Sequence, residues 1–274
     1  MGLPKGISRR RTAIILAAIL IVGAALRLYN NNWDDGNHVH PDERWITMVA
    51  TDISWPDDLG QALKPQATTL NPFYNANRGE SRNFAYGHFP LYLVRFLASL
   101  VSKAASVGAD LTKDSDLARD LAEWTHATDY GHINLVGRVI SGVADTVTIL
   151  FVFLLGRRLY DERGGLLAAA LAAFTVLNIQ LAHFYAFDVI MVTFIVAAIY
   201  FDVGVVVRGG VRSSVLAGAC TAMAVACKFT AVPLLLPLVV AHGLRLFVPR
   251  VNESASHRAI QPTSHQIPRQ LIPC

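Results

Sequence analysis

The stretch 12-TAIILAAILIVGAALRL-28 decides the class of fold, because it carries no charge before Arg27. A helix needs about 20 mostly apolar residues to cross the ~30 Å hydrocarbon core of a bilayer. The chain as a whole has 274 residues, of which 53% are hydrophobic and only 16% charged. Further apolar runs occupy residues 133–155, 164–182, 189–207 and 213–248. These runs predict an all-α integral membrane protein.

The last apolar run is too long for one crossing. At about 1.5 Å per residue it would reach roughly 54 Å, well beyond the hydrocarbon core. The motif 228-KFTAVP-233 interrupts it with a lysine and a proline. We therefore divide the run into two helices that meet near Lys228, which gives about six transmembrane helices.

Basic residues predict the orientation of these helices, since cytoplasmic loops carry an excess of Lys and Arg. Arg9, Arg10 and Arg11 precede the first helix, and that helix lacks a clear cleavage site, so we expect it to be retained. Every later loop predicted on the same side contains arginines: Arg157, Arg158, Arg163, Arg208, Arg212, Arg245 and Arg250. The sequence thus predicts a multi-pass protein of the plasma membrane with a cytoplasmic N-terminus.

The predicted domain organisation is simple. A transmembrane domain covers residues 1–250, and a polar tail at 251–274 is expected to be disordered. Residues 29–132 form one large outer loop with short helices, and a loop of such length favours a functional role. Within it, residues 88–107 are apolar but also contain Arg95 and Lys103. This pattern predicts an amphipathic helix lying in the membrane interface.

Several functional classes lose their usual sequence signatures. The chain has no phosphate-binding G-x-x-x-x-G-K-[ST] loop, no G-x-G-x-x-G fingerprint and no C-x-x-C pair. Its three cysteines do not form a disulfide framework. We expect no nucleic-acid partner. The residues require no metal ion, and they leave the use of a divalent cation open.

The segment 38-HVHPDERW-45 follows the first helix and concentrates polar side chains at the outer membrane surface. Adjacent carboxylates at Asp42 and Glu43 suit general base catalysis or cation binding, but they also suit the acidic start of a helix after Pro41. Spacing alone favours the helix start. His38 and His40 are a weak metal signal, and solvated loop histidines explain them better.

Other polar residues are predicted at the same outer surface, where ionisable groups often mark a site or an ion pair. Lys228 either extends to the interface or binds a phosphate group. His183 and Asp188 either orient a ligand or cap the turn between two helices. Arg138 lies at the outer start of its helix. Asp145, two turns further on, is expected to pair with a basic residue inside the bundle.

These motifs together resemble the GT-C superfamily of membrane glycosyltransferases, especially the relatives of protein O-mannosyltransferases and lipid A aminoarabinose transferases. The resemblance runs from about residue 11 to residue 248. Its fairly specific feature is the order of several weak motifs along the predicted topology. They are 41-PDER-44, 83-NFAYGHFPLYL-93, 137-GRVISGVADTVTIL-150, 156-GRRLY-160, 180-QLAHFYAFD-188 and 227-CKFTAVP-233.

The resemblance implies a glycosyltransferase that works at the extracytoplasmic membrane face, in cell-envelope glycosylation. It implies a polyprenyl-phosphate-linked sugar as donor and a hydroxyl of a protein, lipid or glycan as acceptor. By resemblance, Asp42 is the catalytic base and Glu43 assists it. Lys228 and Arg138 contact the donor phosphate, while His40, His183 and Asp188 line the cavity.

The chain departs from the superfamily in length, because members have roughly twice as many membrane helices. We therefore expect an N-terminal portion or a truncated form, and its activity alone is left open. The alternatives are a transporter or permease and a non-catalytic membrane scaffold. A transporter would place charges near the bilayer midplane. An enzyme requires Asp42, His183 and Lys228 to line one outward cavity.

Overall fold

The computed structural model describes residues 8–56, 58–65, 68–75, 77–112 and 115–247. The polar tail predicted to be disordered, residues 251–274, lies outside the described residues, as does the predicted end of the transmembrane domain at 248–250.

The regular secondary structure of the described residues is almost entirely helical, which confirms the predicted fold class. One short antiparallel pairing, β1 (Tyr74–Asn75) with β2 (Glu80–Ser81), interrupts them. A 3₁₀ helix at Phe229–Leu234 leads into the last α-helix. The helices are α1 (Arg9–Leu28), α2 (Pro41–Asp52), α3 (Leu59–Ala62), α4 (Phe89–Leu111), α5 (Asp116–Trp124), α6 (Tyr130–Leu159), α7 (Glu162–Phe174), α8 (Val176–Ala182), α9 (Phe187–Val207), α10 (Val211–Cys227) and α11 (Leu235–Phe247).

The predicted membrane helices all fall on helical segments. Among the described residues, α1, α4, α6, α9 and the segment Phe229–Phe247 are each long and apolar enough to cross a membrane. The pair α7–α8 also qualifies if it forms one span with a 57° bend, and α10 is a shorter apolar helix. The predicted break at Lys228 is present, because α10 ends at Cys227 and Lys228 adopts an extended conformation.

Helix α4 has the length and composition of a span, but its neighbour α5 argues for the predicted interfacial position. The two helices pack against each other, and Arg95 and Ser102 of α4 donate to the carbonyls of Thr128 and Thr125, just after α5. The short helix α5 exposes four charged side chains, Asp116, Arg119, Asp120 and Glu123. Since charges are costly in hydrocarbon, a helix that runs alongside α5 fits the membrane surface better than the bilayer interior.

A buried ion pair joins α1, α6 and α7 inside the bundle. Arg27 is fully buried, and its Nε lies 2.6 Å from Oδ2 of Asp145. The pairing of Asp145 with a basic residue was expected. Arg27 also donates to the carbonyls of Ala172 and Ala173, at 3.1 and 2.9 Å. Because a bend leaves carbonyl groups without helical partners, and these must be satisfied inside a membrane, Arg27 stabilises the break between α7 and α8.

Two glycines allow the close contacts that assemble one end of the bundle. A Cβ atom at Gly137 would lie 2.2 Å from the ring of Tyr185. A Cβ atom at Gly87 would lie 2.0 Å from the carbonyl oxygen of Ala226, which is backbone and cannot turn away. Gly87 also donates its N–H to the carbonyl of Cys227 at 2.9 Å. The loop before α4 is thus fastened directly to the end of α10.

Candidate active site

Arg138 is the centre of a buried polar network at this end of the bundle. Its Nε and Nη2 donate to the two oxygens of Glu43 at 2.8 and 2.7 Å. Nη1 and Nη2 donate to the two oxygens of Asp34, both at 2.9 Å. Nη1 also donates to the carbonyl of Asn31 at 2.7 Å. Since a guanidinium group has five N–H donors, every donor of Arg138 has a protein acceptor.

Glu43 is the second part of this network and is inaccessible to solvent. Its side chain is 0% exposed, and Oε1 accepts a further hydrogen bond from the backbone N–H of Tyr185 at 2.8 Å. The carboxylate therefore connects α2, α6 and the turn before α9. Removing one partner of such a buried pair typically costs about 3–5 kcal/mol. The position of Glu43 therefore indicates a structural role, in which it holds these three segments together.

Asp42 is next to Glu43 in sequence but differs from it in environment. Successive residues of an α-helix point about 100° apart, so the burial of Glu43 turns Asp42 outward, and Asp42 is exposed. The negative charge of the Asp42 carboxylate acts on the hydroxyl group of Tyr86. Burial, followed by the charge of Asp42, raises the pKa of Tyr86 to about 12. The hydroxyl therefore stays protonated at neutral pH and available as a donor.

Lys228 and Asp188 complete the group around Tyr86. The Lys228 Nζ lies 2.9 and 3.2 Å from the two oxygens of Asp188, and 5.6 Å from the centroid of the Tyr86 ring. Both ion-pair partners keep solvent contact, with side chains 27% and 45% exposed. We call Asp42, Tyr86, Asp188 and Lys228 the acid–lysine cluster. It combines a free carboxylate with a primary ammonium at one accessible surface.

The two histidines proposed for the cavity have other contacts. His40 is the N-cap of α2, and its Nδ1 accepts from the backbone N–H of Glu43 at 3.3 Å. The Nε2 of His183 faces the carbonyl of Tyr29 at 3.0 Å, and its Nδ1 faces the carbonyl of Ile179 at 2.8 Å. His183 thus joins the ends of α1 and α8. Among the described residues, neither histidine makes a hydrogen bond, ion pair or ring contact with the acid–lysine cluster, so His183 does not join Asp42 and Lys228 there.

Two members of the site were not selected from the sequence. Asp34 completes the coordination of Arg138, but its only signal was an acidic pair, 34-DD-35, close to the first helix. Tyr86 lies inside the motif 83-NFAYGHFPLYL-93, yet the motif alone gave it no role. A signal was available in Gly87, since a glycine before a helix can indicate close backbone contact.

The described residues contain no candidate metal-binding group. No group of three or more His, Cys, Asp or Glu side chains there could hold a metal ion. His38 is buried, and its ring lies 4.2 Å from the ring of Tyr130. Burial lowers the pKa of His38.

An apolar groove of about 480 Å³ runs along the bundle between α4, α6, α9 and α10. Phe89, three residues after Tyr86, and Ile190, two residues after Asp188, lie at one end. Phe151, deep in the membrane part of α6, lies at the other. The groove therefore offers an almost purely apolar surface between these four helices.

The helix bundle and the acid–lysine cluster together define a multi-pass membrane protein with a polar site at one end of its helices. Residues 130–256 match the family model of the dolichyl-phosphate-mannose-protein mannosyltransferases, a little under half of the chain. The resemblance to GT-C membrane glycosyltransferases is confirmed over this part. The match includes Arg138, Asp188 and Lys228 but not Asp42 or Tyr86. No curated protein and no solved structure gives a significant match.

Proposed function

We propose that this protein transfers a sugar from a polyprenyl-phosphate donor to an acceptor hydroxyl, with the acid–lysine cluster as its active site. The observation that carries the proposal is that an exposed carboxylate, Asp42, and an accessible ammonium, Lys228, both interact with Tyr86. The family match supports the reaction class, and it extends over Lys228.

The proposed reaction uses the two charged groups in opposite ways. Asp42 accepts the proton of the acceptor hydroxyl while that oxygen forms a bond to the anomeric carbon of the sugar. The bond from this carbon to the phosphate oxygen breaks, and its electron pair leaves with the polyprenyl phosphate. Lys228 stabilises the negative charge that develops on the leaving phosphate. The products are the glycoside, the lipid phosphate and a protonated Asp42.

Asp188 has a positioning role in this proposal. Its carboxylate holds the Lys228 ammonium at 2.9 Å beside Tyr86. A lysine ammonium has three N–H donors, so the ion pair with Asp188 leaves donors for a phosphate group. Asp188 in turn lies in the first turn of α9, where the positive end of the helix dipole stabilises its charge.

Arg138 fits the proposed phosphate role poorly, because all five of its N–H donors already have protein acceptors. The same network removes Glu43 from direct contact with an acceptor. We assign both residues to positioning: they hold the first turn of α2 against α6, and so fix the direction in which Asp42 points.

The lipid part of the donor is supported by the apolar groove that starts at Phe89 and Ile190. An isoprenoid chain has no hydrogen-bonding groups and needs only apolar surface, which this groove supplies. A phosphate at Lys228 would then stand at the membrane surface with its lipid tail in the bilayer. The name of the matched family suggests mannose as the sugar and a protein as the acceptor.

The proposed location of the reaction is the outer face of the plasma membrane. Glu43, the neighbour of Asp42, pairs with Arg138, which in turn binds Asn31 and Asp34 just beyond Leu28, at the end of α1 away from Arg9. Because basic residues mark the cytoplasmic side, this arrangement supports a cytoplasmic N-terminus and an extracytoplasmic site.

The test is a transfer assay in membranes with radiolabelled polyprenyl-phosphate sugars, mannose included. The chain is compared with Asp42→Asn and with Asp35→Asn, a control that makes the same change at an exposed aspartate nearby. Asp35 has a φ of 48°, a conformation that asparagine tolerates well. We expect Asp42→Asn alone to lose transfer. Equal transfer by both variants removes Asp42 from the mechanism, and no transfer by the unchanged chain with any donor contradicts the proposed function.

A further inference from the structure

A second cavity lies at the opposite end of the bundle from the acid–lysine cluster. It is a cleft of about 700 Å³ between the start of α1, the last turn of α6 and the start of α7. Its charged residues are two arginines and two acids, and its remaining lining is mainly apolar. The lining residues are Arg9, Thr12, Ala13, Leu16, Phe153, Arg157, Asp161 and Glu162.

The four charges of this cleft do not neutralise one another by direct pairing. Asp161 accepts from the backbone N–H of Gly164 at 2.7 Å, and Glu162 accepts from the hydroxyl of Thr12 at 2.6 Å. Within the described residues, neither Arg9 nor Arg157 lies within 4.0 Å of a carboxylate oxygen. The cleft therefore offers positive and negative groups to a ligand at the same time.

The apolar side of the cleft extends toward the interior of the bilayer. Ala13 and Leu16 follow Arg9 along α1, and Phe153 precedes Arg157 by one helical turn on α6. The guanidinium group of Arg157 lies 5.4 Å from the centroid of the Phe153 ring. Both helices are long enough to cross the membrane, so their ends place these charges at the level of lipid headgroups.

We propose that this cleft binds a phospholipid whose headgroup contains both a phosphate and a primary ammonium, as in phosphatidylethanolamine. Arg9 and Arg157 bind the phosphate, Asp161 and Glu162 accept hydrogen bonds from the ammonium, and an acyl chain covers Leu16 and Phe153. This site does not depend on the proposed transferase function.

The charges of the cleft distinguish this headgroup from its competitors. A headgroup with a phosphate and no cation leaves two carboxylates facing an anion, which is unfavourable. A quaternary choline group has no N–H to donate to Asp161 and Glu162. A soluble headgroup without acyl chains cannot cover the apolar wall.

The experiment measures lipid binding to the purified chain in detergent by native mass spectrometry. Phosphatidylethanolamine, phosphatidylcholine and phosphatidylglycerol with identical acyl chains are compared, together with free glycerophosphoethanolamine. Because accessible ion pairs contribute only weakly to binding, we expect phosphatidylethanolamine to bind about threefold tighter than the other two lipids. The free headgroup is expected to bind most weakly.

Three variants test whether the preference for phosphatidylethanolamine comes from the cleft. Arg157→Gln should weaken the binding of phosphatidylethanolamine and phosphatidylglycerol alike. Asp161→Asn keeps a side chain that can cap α7 but removes its charge, so it should abolish the preference for phosphatidylethanolamine over phosphatidylglycerol. Arg10→Gln, at an exposed arginine outside the cleft lining, is the control and should change neither.

Each contrary outcome overturns the proposal. Equal binding of phosphatidylcholine excludes recognition of the ammonium. Tighter binding of phosphatidylglycerol shows a simple anion site, and equally strong binding of the free headgroup excludes a lipid site. A preference that survives both Arg157→Gln and Asp161→Asn places the lipid elsewhere on the protein.

Discussion

Two neighbouring carboxylates, Asp42 and Glu43, lead into two different regions of the molecule. Glu43 enters the buried network of Arg138 and Asp34, where each charge has several fixed partners. Asp42 belongs to the accessible acid–lysine cluster, which we propose as the active site. The difference shows that a one-residue step along a helix is enough to separate a buried, fully paired carboxylate from an accessible one.

The largest effect is expected from single substitutions of Asp42 and Glu43. Asp42→Asn should lower the turnover number for sugar transfer by about 10²–10⁴, the usual contribution of a general base, with little change in thermal unfolding. Glu43→Gln should lower the unfolding midpoint, because an amide N–H₂ group would face the donors of Arg138 or Tyr185. Transfer rate and unfolding in detergent are measured on the same preparations. If Glu43→Gln kept its stability and lost only activity, the assignment of Glu43 to the fold rather than to the reaction would be wrong.

Arg138→Gln tests the buried network directly. Loss of the guanidinium group leaves Glu43 and Asp34 buried without their main partner, so the free energy of unfolding should fall by about 3–5 kcal/mol. Denaturant unfolding in detergent measures it. Arg119→Gln is the control, because Arg119 pairs with Asp116 at an exposed surface and should change stability by less than about 0.5 kcal/mol. A small loss for Arg138→Gln would show that the network is dispensable for the fold.

Tyr86→Phe tests the link between the two halves of the acid–lysine cluster. The change removes the hydroxyl that faces Asp42 but keeps the ring beside Lys228. A hydrogen bond to a charged group contributes about 1.5–3 kcal/mol. We expect a turnover number lower by at least about tenfold and a donor KM that stays nearly constant.

Tyr92→Phe is the matched control for this change, since the Tyr92 hydroxyl donates to the backbone carbonyl of Leu70 at 2.9 Å. It removes a hydrogen bond of the same loop region without touching Asp42. Equal losses of activity in the two variants would show that Tyr86 acts through general packing. An increase of the donor KM in Tyr86→Phe would place the hydroxyl at the phosphate.

The sequence predicted the helical class and the break at Lys228, because apolar runs and charge interruptions reflect the bilayer directly. It placed Asp42, Asp188 and Lys228 at one membrane face for the same reason. It did not predict which face of α2 would be buried, since only the packing of α6 against α2 turns Glu43 inward. It also gave no account of Asp34 or Tyr86, whose partners Arg138 and Lys228 are more than a hundred residues away. Such pairs are set by tertiary contact and leave no local pattern.

The smallest expected effect is a pH dependence of stability that comes from Asp34. Hydrogen bonds from Arg138 hold the pKa of Asp34 below its ordinary value of 3.8. A carboxyl group with a lowered pKa in the folded state stabilises the fold above its unfolded pKa, and this contribution is lost as pH falls through the folded pKa. The unfolding midpoint of the unchanged chain should therefore exceed that of Asp34→Asn at pH 5, and the gap should narrow as the pH falls below about 4. Asp35→Asn, at the exposed neighbour, should show no such convergence. If the difference between the two unfolding midpoints stayed constant down to pH 2.5, the charge of Asp34 would not stabilise the buried network. Its hydrogen bonds alone would then account for the stabilisation.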